Sequence, residues 1–225
     1  MGRIFCLGGG GYAIDFDEQL DRWWLSLAGA QRPRIAFIPT ATGDSLHVID
    51  VFTRSFRNEA ASIATLRLFE RDVVDLDRFL RGVDLVYVHG GNTASMLAVW
   101  RAHGLDAALK RASARGLVMG GSSAGAICWG LGGTTDSFGD IRILHDGLGL
   151  LNVSISPHHE TEGRRPLFEQ AIKEGSLCPG YGIDNGVGLL FEDGTLKESV
   201  SARSWARARL TGTDLLEECP IELLS

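Results

Sequence analysis

The sequence predicts an α/β fold, a mostly parallel sheet flanked by helices on both faces. Three observations carry that prediction. Short apolar runs alternate with helix-length amphipathic runs through the first half of the chain, the rhythm of βαβ units. The run Asp84–Val88 is almost wholly apolar, as a strand buried on both faces must be. Turn-forming residues close each apolar run, and the carboxyl ends of parallel strands share one edge.

Arg3–Leu7 is the first strand, and Gly8-Gly9-Gly10-Gly11 follows it. These glycines could cradle a phosphate, but position 13 is Ala, so the third glycine of a dinucleotide fingerprint is missing. A backbone turn passing close to the central site is the better reading. A helix is expected from about Asp15 to Ala28, with Phe16, Leu20, Trp23, Trp24 and Leu27 at helical spacing. Arg34–Ile38 is a strand, Ser45–Asn58 a helix, Ile63–Leu68 a strand and Asp72–Arg81 a short helix. Asp84–Val88 ends at His89-Gly90-Gly91-Asn92-Thr93, and helices are expected at Ala94–Arg101 and Leu105–Arg115. Beyond Gly130 the rhythm changes. A loop is expected at 132–140, a strand at Leu148–Ile155, a polar loop at 157–163 and a helix at Arg165–Lys173. Val187–Phe191, Thr195–Leu196 and Ser199–Arg203 read as short strands around an Asp193-Gly194 hairpin turn.

The chain has 225 residues and shows no repeat or linker, so one domain over 1–225 is expected. A net charge of -6 argues against nucleic acid or an anionic membrane as partner. No apolar run reaches the ~18 residues of a membrane span. The N-terminus lacks the pattern of a signal peptide, so a cytoplasmic location is the default expectation. Cys6, Cys128, Cys178 and Cys219 lack CxxC spacing and read as reduced thiols.

The chemistry centres on Gly121-Ser122-Ser123-Ala124-Gly125. Leu117–Met119 reads as a strand end and Ala124–Trp129 as an apolar helix, so Gly-x-Ser-x-Gly sits in the strand–turn–helix context of a nucleophile elbow. A Cβ at either glycine would crowd the neighbouring strand and helix. The bland alternative is a turn with Ser122 or Ser123 as a helix cap. A serine nucleophile needs a base, and the base an orienting group. His89, His158 and His159 are the candidate bases, and Asp136 and Asp140 the candidate acids. Asp136 could equally cap the turn Asp136-Ser137-Phe138-Gly139. An oxyanion needs two donors, and the N–H groups of Ala124 and Gly91 are the natural pair. Gly91 is chosen because a side chain there would block substrate. His158, His159 and Glu160 lack helix-type ligand spacing and a partner cluster, so neither metal nor cofactor is expected.

Gly90-Gly91-Asn92-Thr93, Ser122-Ser123-Ala124-Gly125-Ala126, Thr134-Thr135-Asp136 and Pro157-His158 together resemble the dipeptidase E (aspartyl dipeptidase) and cyanophycinase family of serine peptidases. Ile127-Cys128-Trp129 and Thr135–Gly139 look like its bacterial peptidase E-like branch. The resemblance runs from about Arg3 to Leu196. It implies a class I glutamine amidotransferase-like (flavodoxin-like) three-layer sandwich. It also implies Ser123 as nucleophile, His158 as base, Gly91 and Ala124 as oxyanion donors, and Asp136 as the third member, with Asp140 and Glu160 in reserve. Dipeptidase E recognises an N-terminal aspartate through an arginine beyond the histidine. Arg164 and Arg165 are the nearby candidates, and with Asn92 they are the expected substrate contacts. The expected partner is a short peptide, and a homodimer would suit such a sheet. An amidase or esterase on the same scaffold would need the same triad, and a non-catalytic small-molecule-binding module would need none.

Overall fold

The computed structural model describes residues 2–12 and 17–224. The expected first turn of the first helix, with Asp15 and Phe16, lies outside them. The first half runs β1 (Arg3–Leu7), α1 (Glu18–Ser26), β2 (Arg34–Ile38), α2 (Leu46–Phe56), β3 (Ser62–Thr65), α3 (Leu76–Arg81), β4 (Leu85–Val88), α4 (Thr93–His103), α5 (Leu105–Ala114), β5 (Val118–Ser122) and the single turn α6 (Ala124–Ile127). The second half adds β6 (Gly132–Phe138), β7 (Asp140–Leu144), β8 (Ser154–Pro157), α7 (Arg164–Lys173), β9 (Gly180–Ile183), β10 (Val187–Glu192), β11 (Thr195–Ser201), β12 (Ala208–Thr211), β13 (Leu216–Glu218) and β14 (Glu222–Leu223).

The result is a three-layer α/β fold built on an eight-stranded sheet, in the order β14-β11-β10-β1-β5-β4-β2-β3. The five strands from β1 to β3 are mutually parallel. Beyond β1 the sheet continues with β10, antiparallel to β1, and β11, antiparallel to β10. Alternation along each central strand divides the core between the two faces. Ile4, Cys6, Ala36, Ile38, Val86, Val88 and Met119 pack with α3, α4 and α5. Phe5, Leu7, Ile35, Phe37, Leu85, Tyr87 and Val118 pack with α1 and α2. Phe37 and Phe52 stack with ring centroids 3.9 Å apart, both fully buried. Truncating either to Ala would cost about 3–5 kcal/mol.

A second, six-stranded sheet, β13-β12-β9-β8-β6-β7, is the feature the sequence hides. The expected loop at 132–140 is a hairpin of β6 and β7. Thr134 and Thr135 are buried in it, and Gly133 lies so close to Ile155 that a Cβ would meet its carbonyl oxygen. The expected strand at Leu148–Ile155 shrinks to β8, because the segment before it caps α6 instead. Leu148 N–H donates to the Cys128 carbonyl, and Leu150 and Leu151 N–H to that of Trp129. Those bonds also stop the expected helix at Ile127 rather than Trp129. The two short strands expected across 195–203 are one strand, β11, with a register shift opposite Leu190 and Phe191.

Candidate active site

β5 delivers Ser123 to the carboxyl edge of the parallel strands, beside β1 and β4. Ser123 has φ 56° and ψ -111°, a conformation non-glycine residues rarely hold. Its N–H donates to the Leu7 carbonyl, and its own carbonyl accepts from Ala126 and Ile127. Those bonds fix the strained turn from both sides. The flanking glycines behave as expected. A Cβ on Gly121 or Gly125 would lie 2.1 or 2.2 Å from the Val88 carbonyl oxygen. The Ala124 N–H is the first of α6 and cannot be satisfied within the helix.

The histidine arrives from the other sheet. β8 and β9 run parallel, with Pro157 opposite Ile183, so the residues after each strand lie together. His158 follows β8 with φ 48°, and its N–H donates to the Gly8 carbonyl at 2.8 Å. That bond ties the second sheet to the end of β1. The glycine turn after β1 is therefore a close-approach turn. A Cβ on Gly9 would lie 1.9 Å from Asn185 Oδ1 and 2.5 Å from His158 Cε1.

Asn185, which the sequence does not single out, is the hydrogen-bond partner of the His158 ring. His158 Nδ1 lies 2.7 Å from Asn185 Oδ1. Asn185 Nδ2 donates to Glu160 Oε1, and the Asn185 backbone N–H to Glu160 Oε2 at 3.1 Å. Glu160 as a carboxylate only accepts, so the amide NH₂ must face it and the amide oxygen must face the imidazole. The proton then sits on Nδ1 of His158, and Nε2 carries a lone pair. Asp184-Asn185-Gly186 reads locally as a turn. Only its place after a strand on this edge marks it.

Asp136, the expected third member, is engaged elsewhere. Its Oδ2 accepts from Arg164 Nη2 at 3.0 Å, while Arg164 Nη1 donates to the Thr134 carbonyl. Asp140 is exposed on β7, 4.0 Å from Arg142. Glu160 reaches His158 only through Asn185. His159 is fully buried, with Nδ1 3.1 Å from Ser156 Oγ, and burial pulls its pKa down to about 4. Burial also lowers the His158 pKa below the ordinary imidazole value, partly offset by the Asn185 hydrogen bond. His89 Nδ1 donates to the Gly90 carbonyl at 2.7 Å, and burial again favours the neutral ring.

The expected substrate contacts divide. Arg164 is buried against Asp136 and Thr134, and Arg165 pairs along its own helix with Glu169 at 2.8 Å. Asn92 caps α4, accepting from Ser95 N–H at 2.8 Å and donating to the Ser137 carbonyl at 2.9 Å. Gly91 has φ 136°, and a Cβ there would meet the Ala41 carbonyl oxygen at 2.4 Å. Its glycine is required by that backbone, whatever passes in front of it.

Ser123 and His158 line one cavity of about 280 Å³, together with Tyr12, Tyr87, His89 and Gly90. No hydrogen bond joins the Ser123 hydroxyl to the His158 ring here. No group of acidic, His or Cys side chains suited to hold a metal occurs among the described residues. The four cysteines are free, and burial pushes the Cys6 and Cys128 thiols up, away from reactivity.

Residues 4–199 match the model of peptidase family S51. YgaJ of Bacillus subtilis (strain 168), an uncharacterized peptidase, is 41% identical over 210 residues, covering 92% of this chain and 91% of YgaJ. The crystal structure of a peptidase from an acI-B1 Actinobacterium superposes with a TM-score of 0.74 at 17% identity, covering 98% of this chain and 95% of that one. A Listeria monocytogenes EGD-e structure, proposed to be a peptidase E, gives 0.65 at 19% identity over 88% of this chain and 97% of its own.

Proposed function

The chain belongs to peptidase family S51 and is a serine-type peptidase, and from that premise we propose that it hydrolyses short peptides through Ser123, His158 and Asn185. Ser123 Oγ attacks the scissile carbonyl carbon. His158 Nε2 takes the hydroxyl proton and returns it to the leaving amine. The Asn185 amide oxygen holds the ring by its Nδ1–H and stabilises the imidazolium as it forms. Glu160 supplies negative charge one residue further out, by orienting that amide. The N–H groups of Ala124 and Gly91 receive the oxyanion. A water then attacks the acyl-enzyme with the same histidine as base, releasing the acid and restoring the serine.

The observation that carries this reading is the hydrogen-bond chain from Glu160 through Asn185 to His158 Nδ1, from which the tautomer follows. A hydrogen-bond chain from Glu160 through Asn185 leaves His158 Nε2 unprotonated, in the cavity that Ser123 lines. Catalytic hydrogen bonds commonly tighten only with substrate bound, so a serine unbonded before binding fits this role. The strained Ser123 backbone supports it too, since strain of about 1–3 kcal/mol persists only where surrounding structure enforces it.

The test is hydrolysis of a dipeptide panel by the native protein and by Ser123→Ala, with folding compared by circular dichroism. Turnover by the native protein and loss of at least about 1000-fold in the variant are expected. Equal turnover by a folded Ser123→Ala protein would exclude the mechanism.

A further inference from the structure

The resemblance that suggests a serine peptidase also suggests an aspartate-selecting arginine, and among the described residues no such cation lines the cavity beside Ser123. None of the described residues lining its cavity is Arg, Lys, Asp or Glu. Arg164, the nearest expected candidate, is spent on Asp136 and the Thr134 carbonyl. Arg203 packs against Gly186 and donates to Asp17 Oδ2 at 3.0 Å, and it does not line the cavity. What lines it instead is aromatic. Tyr12 and Tyr87 meet edge to face, with centroids 6.1 Å apart, and Tyr12 meets the His89 ring in the same way at 6.1 Å. Those rings are held from behind by Phe37, Phe52 and Phe56, so the wall is preformed. The His89 tautomer completes it. With Nδ1–H committed to the Gly90 carbonyl, the ring offers only the Nε2 lone pair and no positive charge.

We infer that this cavity receives the side chain of the residue whose carbonyl Ser123 attacks, and that it selects an uncharged apolar or aromatic side chain. The enzyme then cleaves dipeptides opening with residues such as Leu or Phe in preference to Asp-X. The inference rests on the serine mechanism proposed above. A carboxylate entering this cavity would lose its hydration and find no cation to replace it. An apolar side chain would gain from leaving water and from ring contact. The volume of about 280 Å³ sits at the small end of ligand cavities, which suits one or two residues rather than a long chain.

The experiment measures kcat/KM for Leu-X, Phe-X, Asp-X and Lys-X dipeptides sharing one X, with Ser123→Ala as the control. Ser123-dependent hydrolysis of Leu-X and Phe-X should exceed that of Asp-X and Lys-X by at least about 100-fold, the discrimination expected when a charge is buried unpaired. Ser123-dependent turnover that favours Asp-X would overturn this specificity and leave the serine mechanism standing. Absence of Ser123-dependent turnover on every member would overturn both. A second variant fixes the location. Thr42 lines the same cavity and is half-buried. Thr42→Lys should narrow the Leu-to-Asp ratio by about tenfold or more, as a charge-assisted partner for the carboxylate appears. An unchanged ratio in the folded variant would place the selected side chain elsewhere.

Discussion

Asn185 should behave as a two-way connector, and that is testable by three substitutions. In Asn185→Ala the imidazole loses the 2.7 Å bond to its Nδ1–H. A hydrogen bond to a charged group contributes about 1.5–3 kcal/mol net, and the ring is charged only after it takes the serine proton. The loss therefore falls on the transition state and should lower kcat by about 10–150-fold, with KM little changed. Asn185→Asp is the sharper case. A carboxylate there still accepts from His158, but it can no longer donate to Glu160, whose oxygens now hold the Asn185 amide and backbone N–H. Two carboxylates in contact resist joint ionisation, so one must take up a proton. Activity of Asn185→Asp should thus be impaired and newly pH-dependent, although the variant carries the expected triad acid. Glu160→Gln added to it supplies a donor again and should restore turnover to within about tenfold of the native rate. Steady-state kinetics on one dipeptide across pH 5–9 decides among these. An Asn185→Ala enzyme within twofold of native kcat, or an Asn185→Asp enzyme faster than native at every pH, would refute the reasoning.

Three further outcomes follow from the same geometry. The His158 pKa is lowered by burial, so the acid limb of kcat/KM should have its midpoint below the ordinary 6.5, because the base stays neutral to lower pH; a midpoint above 6.5 would contradict it. Gly9→Ala places a methyl 1.9 Å from Asn185 Oδ1, at a φ of 151°. It should cut kcat by about tenfold or more through displacement of the amide from the ring, and native kinetics in that variant would show that Asn185 has no such role. Asp21 is buried beside the Trp24 indole, and burial raises its pKa from 3.8 to about 6. The folded state thus holds this proton more tightly than the unfolded chain, so stability is lost as pH rises from about 4 through about 6. Asp21→Asn keeps an acceptor for Trp24 and should gain about 1–3 kcal/mol at pH 7.5 and nothing at pH 4. Urea melts at both values measure this, and an equal effect at the two would refute it.

The first half of the fold was legible because its signals are local. Each central strand is an apolar run buried along most of its length, with Leu85–Val88 buried from end to end, and each is followed by a helix. The elbow was legible for the same reason, since Gly121 and Gly125 lie within two residues of Ser123 and both are required by Val88. The second sheet was not. Two of its central strands, β6 and β9, carry paired glycines, and those glycines exist for contacts distant in sequence. Gly180 fits against the Ser154 backbone, and Gly182 leaves room for the His159 ring. Composition of that kind reads as loop. The hydrogen-bond partner of His158 was hidden by the same cause. Asp136 has the residue type expected of a triad acid, yet Arg164 claims it. Asn185 has the residue type of a turn, and only the parallel pairing of β8 with β9 brings it to His158.

The central claim is that the Ser123 hydroxyl is the nucleophile, activated by His158. Mass spectrometry of the protein after exposure to an aryl phosphonate fluoride reads it directly, with the adduct located by peptide mapping. One adduct per chain on Ser123 is expected, with labelling slowed by at least about 100-fold in His158→Ala. An unlabelled Ser123, or labelling at the same rate without the imidazole, would contradict the account.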